Sequence, residues 1–437
     1  MKTRYLDDNS KFDNLELHIE KDILGKTLKE LENDGVFVFP NSIFESRDIE
    51  DDQMILRQCD SGYRTTNIMG FIGNGNETLF IKSRFSNDNE DYFTQYLMEK
   101  VIDVPNLVDL KVSTGINERI FGLLSFTFVI YLKRAIRKGL FKTYVRREFN
   151  DRNVKGSIDI ARDIKLNVPF MGKVAYSTRE YSYDNYLMNL IRYTIEFIRS
   201  KKYGRKLLLK AKEEVRRVIY ATPSYQDKTV QDLIHENRSK TIHHAYYSEY
   251  RDLQKLCILI LQHQKQQFGV GSHYTFGILF DGSWLWEEYI GSLIKDGFYH
   301  THNRDKDGQQ YLFSGNVGRI YPDFISKDSN NRVIADTKYK PQRNINGRDY
   351  LQLLSYMYRF ESKTGIYIYP KKQDEKDDKV LYLNRGLSFE NSVKFRDDVK
   401  LTKLGFDVPN SSSSYEDFCK EVSKSENDFV KYIKYID

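Results

Sequence analysis

The stretch from Arg319 to Lys340, "RIYPDFISKDSNNRVIADTKYK", decides how the second half of this chain folds. Two apolar runs flank a polar segment, and this pattern predicts a β-hairpin whose turn is centred on residues 329–330. In that register Asp323 lies opposite Asp336, and the Cβ atoms of such cross-strand neighbours are about 5 Å apart. Lys338 follows two residues later and therefore projects from the same face of the strand.

This arrangement carries a chemical problem that a metal ion solves. Two carboxylates so close repel each other, and one of them binds a proton unless a cation intervenes. A hard divalent ion such as Mg2+ removes the conflict because it prefers oxygen ligands. Such an ion polarises a phosphoryl oxygen and lowers the pKa of a bound water, and a nearby lysine orients that water or stabilises charge on the phosphate. The pattern predicts metal-assisted phosphodiester hydrolysis; the alternative is a surface hairpin with an incidental ion pair.

A third acid lies on the predicted helix upstream of the hairpin, "DGSWLWEEYIGSLI". Glu287 shares a helical face with Ile290 and Ile294, at the edge of the buried stripe, whereas Glu288 lies one position round. An acid that faces inward needs a cation or a hydrogen-bond donor. We therefore interpret Glu287 as an accessory acid of the site; the alternative is a surface glutamate that reaches solvent.

The predicted helix downstream, "RDYLQLLSYMYRF", places Gln352 and Tyr356 at positions i and i+4 of one face. Arg348 and Arg359 flank this pair. Such a face suits contact with a phosphate or with nearby base atoms, and we expect the pair to orient substrate. The alternative is a tyrosine-rich core helix with one buried amide.

The composition is that of an ordinary globular protein. Of 437 residues 40% are hydrophobic and 30% charged, and a net charge of +6 is too small at this length to identify a partner. Three cysteines far apart exclude a disulfide framework and indicate a reducing compartment. The N-terminus lacks an apolar signal core, and the longest apolar run, Ile120–Leu132, is too short to span a bilayer. We expect a cytoplasmic protein without a membrane segment, in which this run forms a buried helix.

Changes of pattern along the chain predict an α/β protein, α+β overall, in three domains. Residues 1–110 look β-rich, and the run "IMGFIGNGNETLFIKSRF" is a strong hairpin signal. Residues 111–270 look mainly helical, with strand-like alternation over Thr143–Ile164. Residues 271–437, which begin near the glycine-rich segment 269–272, contain the helix, hairpin and helix described above.

These motifs together resemble a known family. Pro322-Asp323, twelve intervening residues and Asp336-Thr337-Lys338 resemble the PD-(D/E)xK nuclease motif. "DTKYK", "YLQLLSY" and "LWEEYI" are similar to McrC, the nuclease subunit of McrBC-type restriction systems. "GFIGNGNETLFIKSRF" and "VRREFNDRNVKGSIDIARDI" resemble the N-terminal half of McrC-like proteins, the latter especially in the LlaJI-type subgroup. That segment usually carries an Arg-Gly pair, where this chain has Lys155-Gly156.

The resemblance implies a two-part function. McrC-like proteins bind a McrB-like ring-forming AAA+ GTPase through their N-terminal part and stimulate its nucleotide hydrolysis, and their C-terminal part cuts double-stranded DNA with Mg2+. GTP is therefore expected on the partner. This chain has no G-x-x-x-x-G-K-[S/T] loop and is not expected to hydrolyse nucleotide itself.

The first hypothesis is thus a Mg2+-dependent endonuclease subunit of a restriction system that defends against phage and other foreign DNA. Asp323 and Asp336 are expected to hold the metal, with the Thr337 carbonyl as a further ligand, and Lys338 to position the attacking water. The remaining predicted site residues are Glu287, Gln352 and Tyr356. Two alternatives stay open: an autonomous PD-(D/E)xK DNA-repair nuclease, and a non-catalytic activator that docks on an NTPase ring.

Overall fold

A computed structural model describes residues 2–34, 36–39, 53–74, 77–86, 91–101, 116–201, 204–242, 244–266, 275–301, 309–372, 379–387, 389 and 392–434. The chain divides into two compact units. The first combines residues 1–111 with 272–437, and the second comprises residues 112–271.

The N-terminal part of the first unit is built on short strands. They are β1 (Lys2–Asp7), β2 (Lys11–Phe12), β3 (Val36–Phe39), β4 (Leu56–Cys59), β5 (Gly62–Thr65), β6 (Ile68–Gly73) and β7 (Glu77–Lys82). The helices are α1 (His18–Ile23), α2 (Leu28–Asn33) and α3 (Tyr92–Val101). Strands β6 and β7 pair antiparallel, as the glycine-asparagine signal between them predicted. Aliphatic side chains from these strands and from α1 and α2 form one buried core.

The second unit is mainly helical. Its helices are α4 (Ile116–Arg137), α5 (Ile160–Asn167), α6 (Tyr186–Ser200), α7 (Gly204–Leu209), α8 (Lys212–Ala221), α9 (Val230–Ser239) and α10 (Ser248–Gln266). Strands β8 (Thr143–Asp151), β9 (Ser157–Ile158) and β10 (Val174–Ser182) form an antiparallel sheet in the order β8-β10-β9. The apolar run predicted as a buried helix lies in α4, where Phe126, Phe128 and Leu132 are fully buried. Among the described residues, no helix has the length and apolar character that a bilayer crossing requires.

One local prediction in this unit was wrong. The strand-like alternation over Thr143–Ile164 ends in a helix, α5, and not in a continued strand. The Asp159 side chain accepts a hydrogen bond from the backbone N–H of Arg162 at 3.2 Å and so caps the first turn. Ile160 and Ile164 are four residues apart, a spacing that fits one face of a helix as well as it fits alternation along a strand.

The C-terminal part of the first unit contains the predicted hairpin. Its strands are β11 (Phe276–Asp281), β12 (Phe298–His300), β13 (Gln310–Phe313), β14 (Val317–Ile320), β15 (Phe324–Ser326), β16 (Val333–Thr337), β17 (Thr364–Lys372), β18 (Lys379–Arg385) and β19 (Lys394–Val408). The helices are α11 (Gly282–Ile294), α12 (Gly347–Arg359) and α13 (Tyr415–Lys434). The main sheet has the order β12-β15-β16-β17-β19-β18. Strands β16, β17 and β19 run parallel, and α12 connects β16 to β17.

Strand β11 joins the two parts of the first unit. It lies between β6 and β3 in the N-terminal sheet, whose order is β1-β7-β6-β11-β3. A Cβ atom at Gly70 would lie 2.1 Å from the carbonyl oxygen of Ile278, so only glycine allows this close approach. The first and third segments of the sequence therefore share one sheet. The chain as a whole is a mixed α/β protein, as the sequence predicted.

Candidate active site

The hairpin register brings the two aspartates together. Phe324 pairs with Ala335 and Ile325 with Ile334, so the same register places Asp323 opposite Asp336 at the end of the hairpin. This pairing was predicted from the sequence. Thr337 donates from both its backbone N–H and its hydroxyl to Oδ2 of Asp323, each at 2.7 Å. Thr337, the residue after Asp336, thus fixes the orientation of the Asp323 carboxylate.

A lysine joins the second carboxylate. The Lys338 ammonium lies 2.6 Å from Oδ2 of Asp336, and the Asp336 side chain is only 3% exposed. Burial raises the pKa of Asp336, and the cation of Lys338 offsets this only in part. Burial alone would lower the pKa of Lys338, but the charges of Asp336 and Asp323 outweigh burial and raise it. The ammonium is therefore held in its charged form.

Glu287 adds a third negative charge to this cluster. Burial raises the pKa of Asp323 well above its ordinary value, and the next largest contribution comes from the charge of Glu287. His300 Nε2 lies 3.0 Å from Glu287 Oε1 and orients this carboxylate. Glu288, by contrast, accepts a hydrogen bond from Trp284 Nε1 at 3.2 Å on its own helix. Glu287 and Glu288 therefore have different partners, as their positions on different faces of the helix predicted.

Two contacts organise helix α11, and neither was predicted from the sequence. The Asp281 side chain accepts a hydrogen bond from the backbone N–H of Ser283 at 2.8 Å, which caps the helix. Trp286, fully buried, donates through Nε1 to the carbonyl of Ile368 on β17 at 3.1 Å. The Trp286 contact fixes the helix on the sheet that carries Asp336, and with it the position of Glu287.

Gln352 and Tyr356 meet on α12 as predicted. Gln352 donates through Nε2 to the Tyr356 hydroxyl at 3.0 Å. Burial raises the pKa of Tyr356, the hydrogen bond from Gln352 lowers it, and the charges of Asp336 and Asp323 raise it. The alternative of a buried amide was wrong, because Gln352 is exposed while Tyr356 is the buried member of the pair. The amide of Gln352 is thus available to a substrate.

Asp349 was not predicted from the sequence, and it is the main partner of Lys340 but not of Lys338. Lys340 donates to both oxygens of Asp349, at 2.9 and 2.7 Å, whereas Lys338 is 4.0 Å from this acid. Burial raises the pKa of Asp349, but the hydrogen bonds from Lys340 and from the backbone of Asn346 outweigh burial and lower it. The capping pattern Asn346-x-x-Asp349 at the start of α12 was the available signal for this residue.

The donor set fits a hard divalent ion. Among the described residues, no group of three or more His, Cys, Asp or Glu side chains has an arrangement that holds a metal by itself. Mg2+ does not need one, since it usually takes one or two carboxylates and keeps several waters or substrate oxygens. Asp323 and Asp336 supply two oxygen-donor groups at one end of the hairpin. Burial raises the pKa of both carboxyl groups, and the charge of Lys338 offsets this only in part, so a bound cation would favour their ionised forms.

Comparison with known proteins gives the family. A model of the McrBC 5-methylcytosine restriction system component family matches residues 63–370, which is more than half of the chain. This match identifies the chain as a component of a restriction system. The chain belongs to the McrBC 5-methylcytosine restriction system component family.

Two solved structures from Thermococcus gammatolerans are similar to this chain at low identity. One is a refined half-complex from a tetradecameric assembly of McrB AAA+ hexamers with bound McrC, at 16% identity and a TM-score of 0.44, covering 97% of this chain and 100% of the other. The second is a cryo-EM structure of the McrBC complex, at 15% identity and a TM-score of 0.31, covering 67% and 87%. No curated protein matched. The family assignment therefore rests on the family model.

Proposed function

We propose that this chain is the McrC-like DNA endonuclease subunit of its restriction system and cuts double-stranded DNA by Mg2+-dependent phosphodiester hydrolysis. One observation carries the proposal: Asp323 stands opposite Asp336, and Lys338 lies 2.6 Å from Asp336. Two acids that can hold a metal ion, with one lysine beside them, form a donor set suited to metal-assisted phosphodiester hydrolysis.

Each residue has a distinct role in this proposal. Asp323 and Asp336 hold Mg2+, and the Thr337 carbonyl is a further ligand. Bound Mg2+ supplies a Lewis acid that polarises a phosphate oxygen and lowers the pKa of a water. Because the pKa of Lys338 is raised, its ammonium keeps its proton near neutral pH. Lys338 therefore donates hydrogen bonds to the attacking water and to negative charge on the phosphate, and does not act as a base.

The flanking helices supply the remaining groups. Glu287 acts as an accessory acid, and His300 holds its carboxylate at 3.0 Å. Gln352 reaches the DNA backbone or a neighbouring base from its exposed position on α12. Tyr356 accepts the hydrogen bond from Gln352 and so restricts the directions in which that amide can point.

A protein partner is supported by six exposed apolar side chains that lie close together in the sequence of the second unit. We name this surface the apolar strip and define it by Ile158, Ile160, Ile164, Val168, Phe170 and Met171, each of which is at least 55% exposed. Surfaces of this kind mark protein–protein contacts. Together with the family assignment, the strip supports binding to a McrB-like AAA+ GTPase ring, with GTP bound by the ring. The cysteines, all free thiols, are compatible with a reaction in the cytoplasm.

The test is reconstitution of the chain with a McrB-like AAA+ protein from the same source. We expect plasmid DNA to be cut only when both proteins, GTP and Mg2+ are present, and EDTA to stop the reaction. Robust cutting by the chain without any NTPase would overturn the partner assignment in favour of an autonomous repair nuclease. Stimulated GTP hydrolysis without DNA cutting under any condition would instead identify a non-catalytic activator.

A further inference from the structure

The N-terminal hairpin ends in three residues that contact the strand of the candidate active site. Ser83, Arg84 and Phe85 follow β7 directly, and we name these three residues the SRF clamp. All three contact Tyr339, the residue that follows Lys338 in the sequence. A segment near residue 84 thus meets the D-x-K motif more than 250 residues later in the chain.

Each residue of the clamp makes a different contact with Tyr339. Arg84 donates through its guanidinium to the Tyr339 carbonyl, and its guanidinium carbon lies 5.0 Å from the centre of the Tyr339 ring. Ser83 Oγ is 2.7 Å from the Tyr339 hydroxyl. Phe85 packs edge-to-face on the same ring, with the centroids 5.1 Å apart. Both the backbone and the side chain of Tyr339 are therefore restrained.

The clamp is itself anchored inside the N-terminal part of the first unit. Asp8, fully buried, accepts a hydrogen bond from the backbone N–H of Arg84 at 2.6 Å, and its other oxygen is 3.5 Å from the Arg84 guanidinium. Asn67 lies 3.4 Å from the same guanidinium. The Arg84 side chain is 13% exposed and has partners on several sides, so it has little freedom to move. It therefore couples the position of Tyr339 to that of the N-terminal sheet.

Tyr339 also contacts the start of α11, the helix that carries Glu287. The backbone N–H of Gly282 donates to the carbonyl of Asn67 at 2.9 Å. A Cβ atom at Gly282 would lie 2.8 Å from Cε1 of Tyr339, so the tyrosine ring packs against this turn. The N-terminal hairpin therefore contacts both elements that carry the candidate site, the end of β16 and the beginning of α11.

Lys338 needs such a restraint because it lies just beyond the last residue of β16. Its backbone N–H donates to the carbonyl of Ile368 at 2.9 Å, and after it the chain leaves the sheet. A displacement of about 1 Å in a reacting group can reduce a rate by roughly 100-fold. We infer that the SRF clamp positions Lys338 and Glu287 for the cutting reaction. This inference rests on the proposed nuclease function, and it makes Arg84 a positioning residue.

The test compares two conservative arginine substitutions in the complex assembled with the ring partner. Arg84→Lys keeps a cation beside Asp8 but removes the planar group that reaches the Tyr339 carbonyl and covers its ring. Arg4→Lys is the matched control, because Arg4 is also a well-buried arginine, 3.0 Å from the buried acid Glu20, and belongs to the same N-terminal part. A loss of activity caused only by a disturbed fold would lower kcat in both variants alike.

For Arg84→Lys we expect kcat for DNA cleavage to fall by roughly 10- to 100-fold while KM for DNA and the stimulated GTP hydrolysis stay near wild type. Arg4→Lys should keep the wild-type kcat. Tyr339→Phe removes only the hydroxyl, which contacts Ser83 Oγ and Met69 Sδ, and should lower kcat by a smaller factor. Equal kcat losses in Arg84→Lys and Arg4→Lys, or a wild-type kcat in Arg84→Lys, would overturn the inference.

Asp336→Ala, measured alongside, separates this inference from the proposed function. If Asp336→Ala cuts like the wild type, the candidate site is not the nuclease site and both proposals fail. If Asp336→Ala is inactive and Arg84→Lys has normal kcat, only the role of the clamp fails.

Discussion

The ammonium of Lys338 lies 2.6 Å from Oδ2 of Asp336, so the acid and the lysine of the D-x-K pattern form one ion pair at the end of β16. Lys340, two residues on, is bound to Asp349 and not to this pair. Lys338 and Lys340 therefore pair with different carboxylates, although they are only two residues apart. Replacing each lysine in turn tests this difference.

Replacing the two lysines separately should give unequal losses of activity. Lys338→Ala removes the donor beside Asp336, and we expect DNA cleavage by the assembled complex to fall by about 100-fold or more. Lys340→Ala removes a cation whose main contact is Asp349, and we expect a loss of only a few-fold. The measurement is the initial rate of plasmid cleavage. A larger loss in Lys340→Ala than in Lys338→Ala would show that the lysines have been assigned the wrong way round.

The neighbouring glutamates of α11 offer a second matched pair. Glu287→Gln removes a charge that acts on Asp323, so we expect slower cleavage by roughly 10-fold and a need for more Mg2+. Glu288→Gln, which can keep the hydrogen bond from Trp284, should leave cleavage and its Mg2+ dependence unchanged. Cleavage rates over a series of Mg2+ concentrations distinguish the two variants. Identical Mg2+ curves for Glu287→Gln and wild type would remove Glu287 from the site.

The apolar strip of the second unit should be needed for partner binding and not for folding. Ile164 is 61% exposed, so Ile164→Asp adds a charge to an exposed surface and should leave the melting temperature nearly unchanged. We expect it to weaken binding to the ring by about 10-fold or more. Tyr220→Asp is the control, since Tyr220 is 90% exposed on α8 and lies outside the strip. Equal affinities of the two variants in a binding titration would refute the assignment of the strip.

Asp8 predicts a pH dependence of stability. Burial raises its pKa from 3.8 to about 7, so between these values the folded chain holds a proton that the unfolded chain has released. Stability therefore falls as pH rises through this window and levels off about one pH unit above the folded-state pKa. Asp8→Asn cannot titrate, so its free energy of unfolding relative to wild type should rise by roughly 2 kcal/mol from pH 5 to pH 8. Urea unfolding at both pH values measures this difference; a difference that is unchanged or smaller at pH 8 would contradict the assignment.

The hairpin and its acids could be predicted from the sequence because they obey local rules. Alternation with a period of two and one polar turn determine a register, and that register brings Asp323 to Asp336. The helical period likewise distinguishes Glu287 from Glu288 and brings Gln352 to Tyr356. In each case the interacting residues are close in sequence or joined by one short turn.

Contacts between distant segments could not be predicted in this way. Strand β11 is a short apolar run, and nothing in its residues says that it pairs with β6 more than 200 residues earlier. The pairing of Arg84 with Tyr339 depends on how whole elements pack. The same is true of His300 and Glu287, which are near in sequence but lie on a strand and a helix with no periodic rule to relate them. The reading of Ile160 to Ile164 as a strand was wrong because four-residue spacing suits both periods, and the cap at Asp159 favours the helix.

The most direct measurement of the central claim is DNA cleavage by Asp336→Ala in the complex with the ring partner, GTP and Mg2+. Asp336 is 2% exposed, lies beside Lys338 and stands opposite Asp323, so its loss removes one of the two carboxylates that we propose to hold the metal. We predict that cleavage is abolished while the melting temperature, partner binding and stimulated GTP hydrolysis remain close to wild type. Cleavage at the wild-type rate would contradict the assignment of this hairpin as the nuclease site.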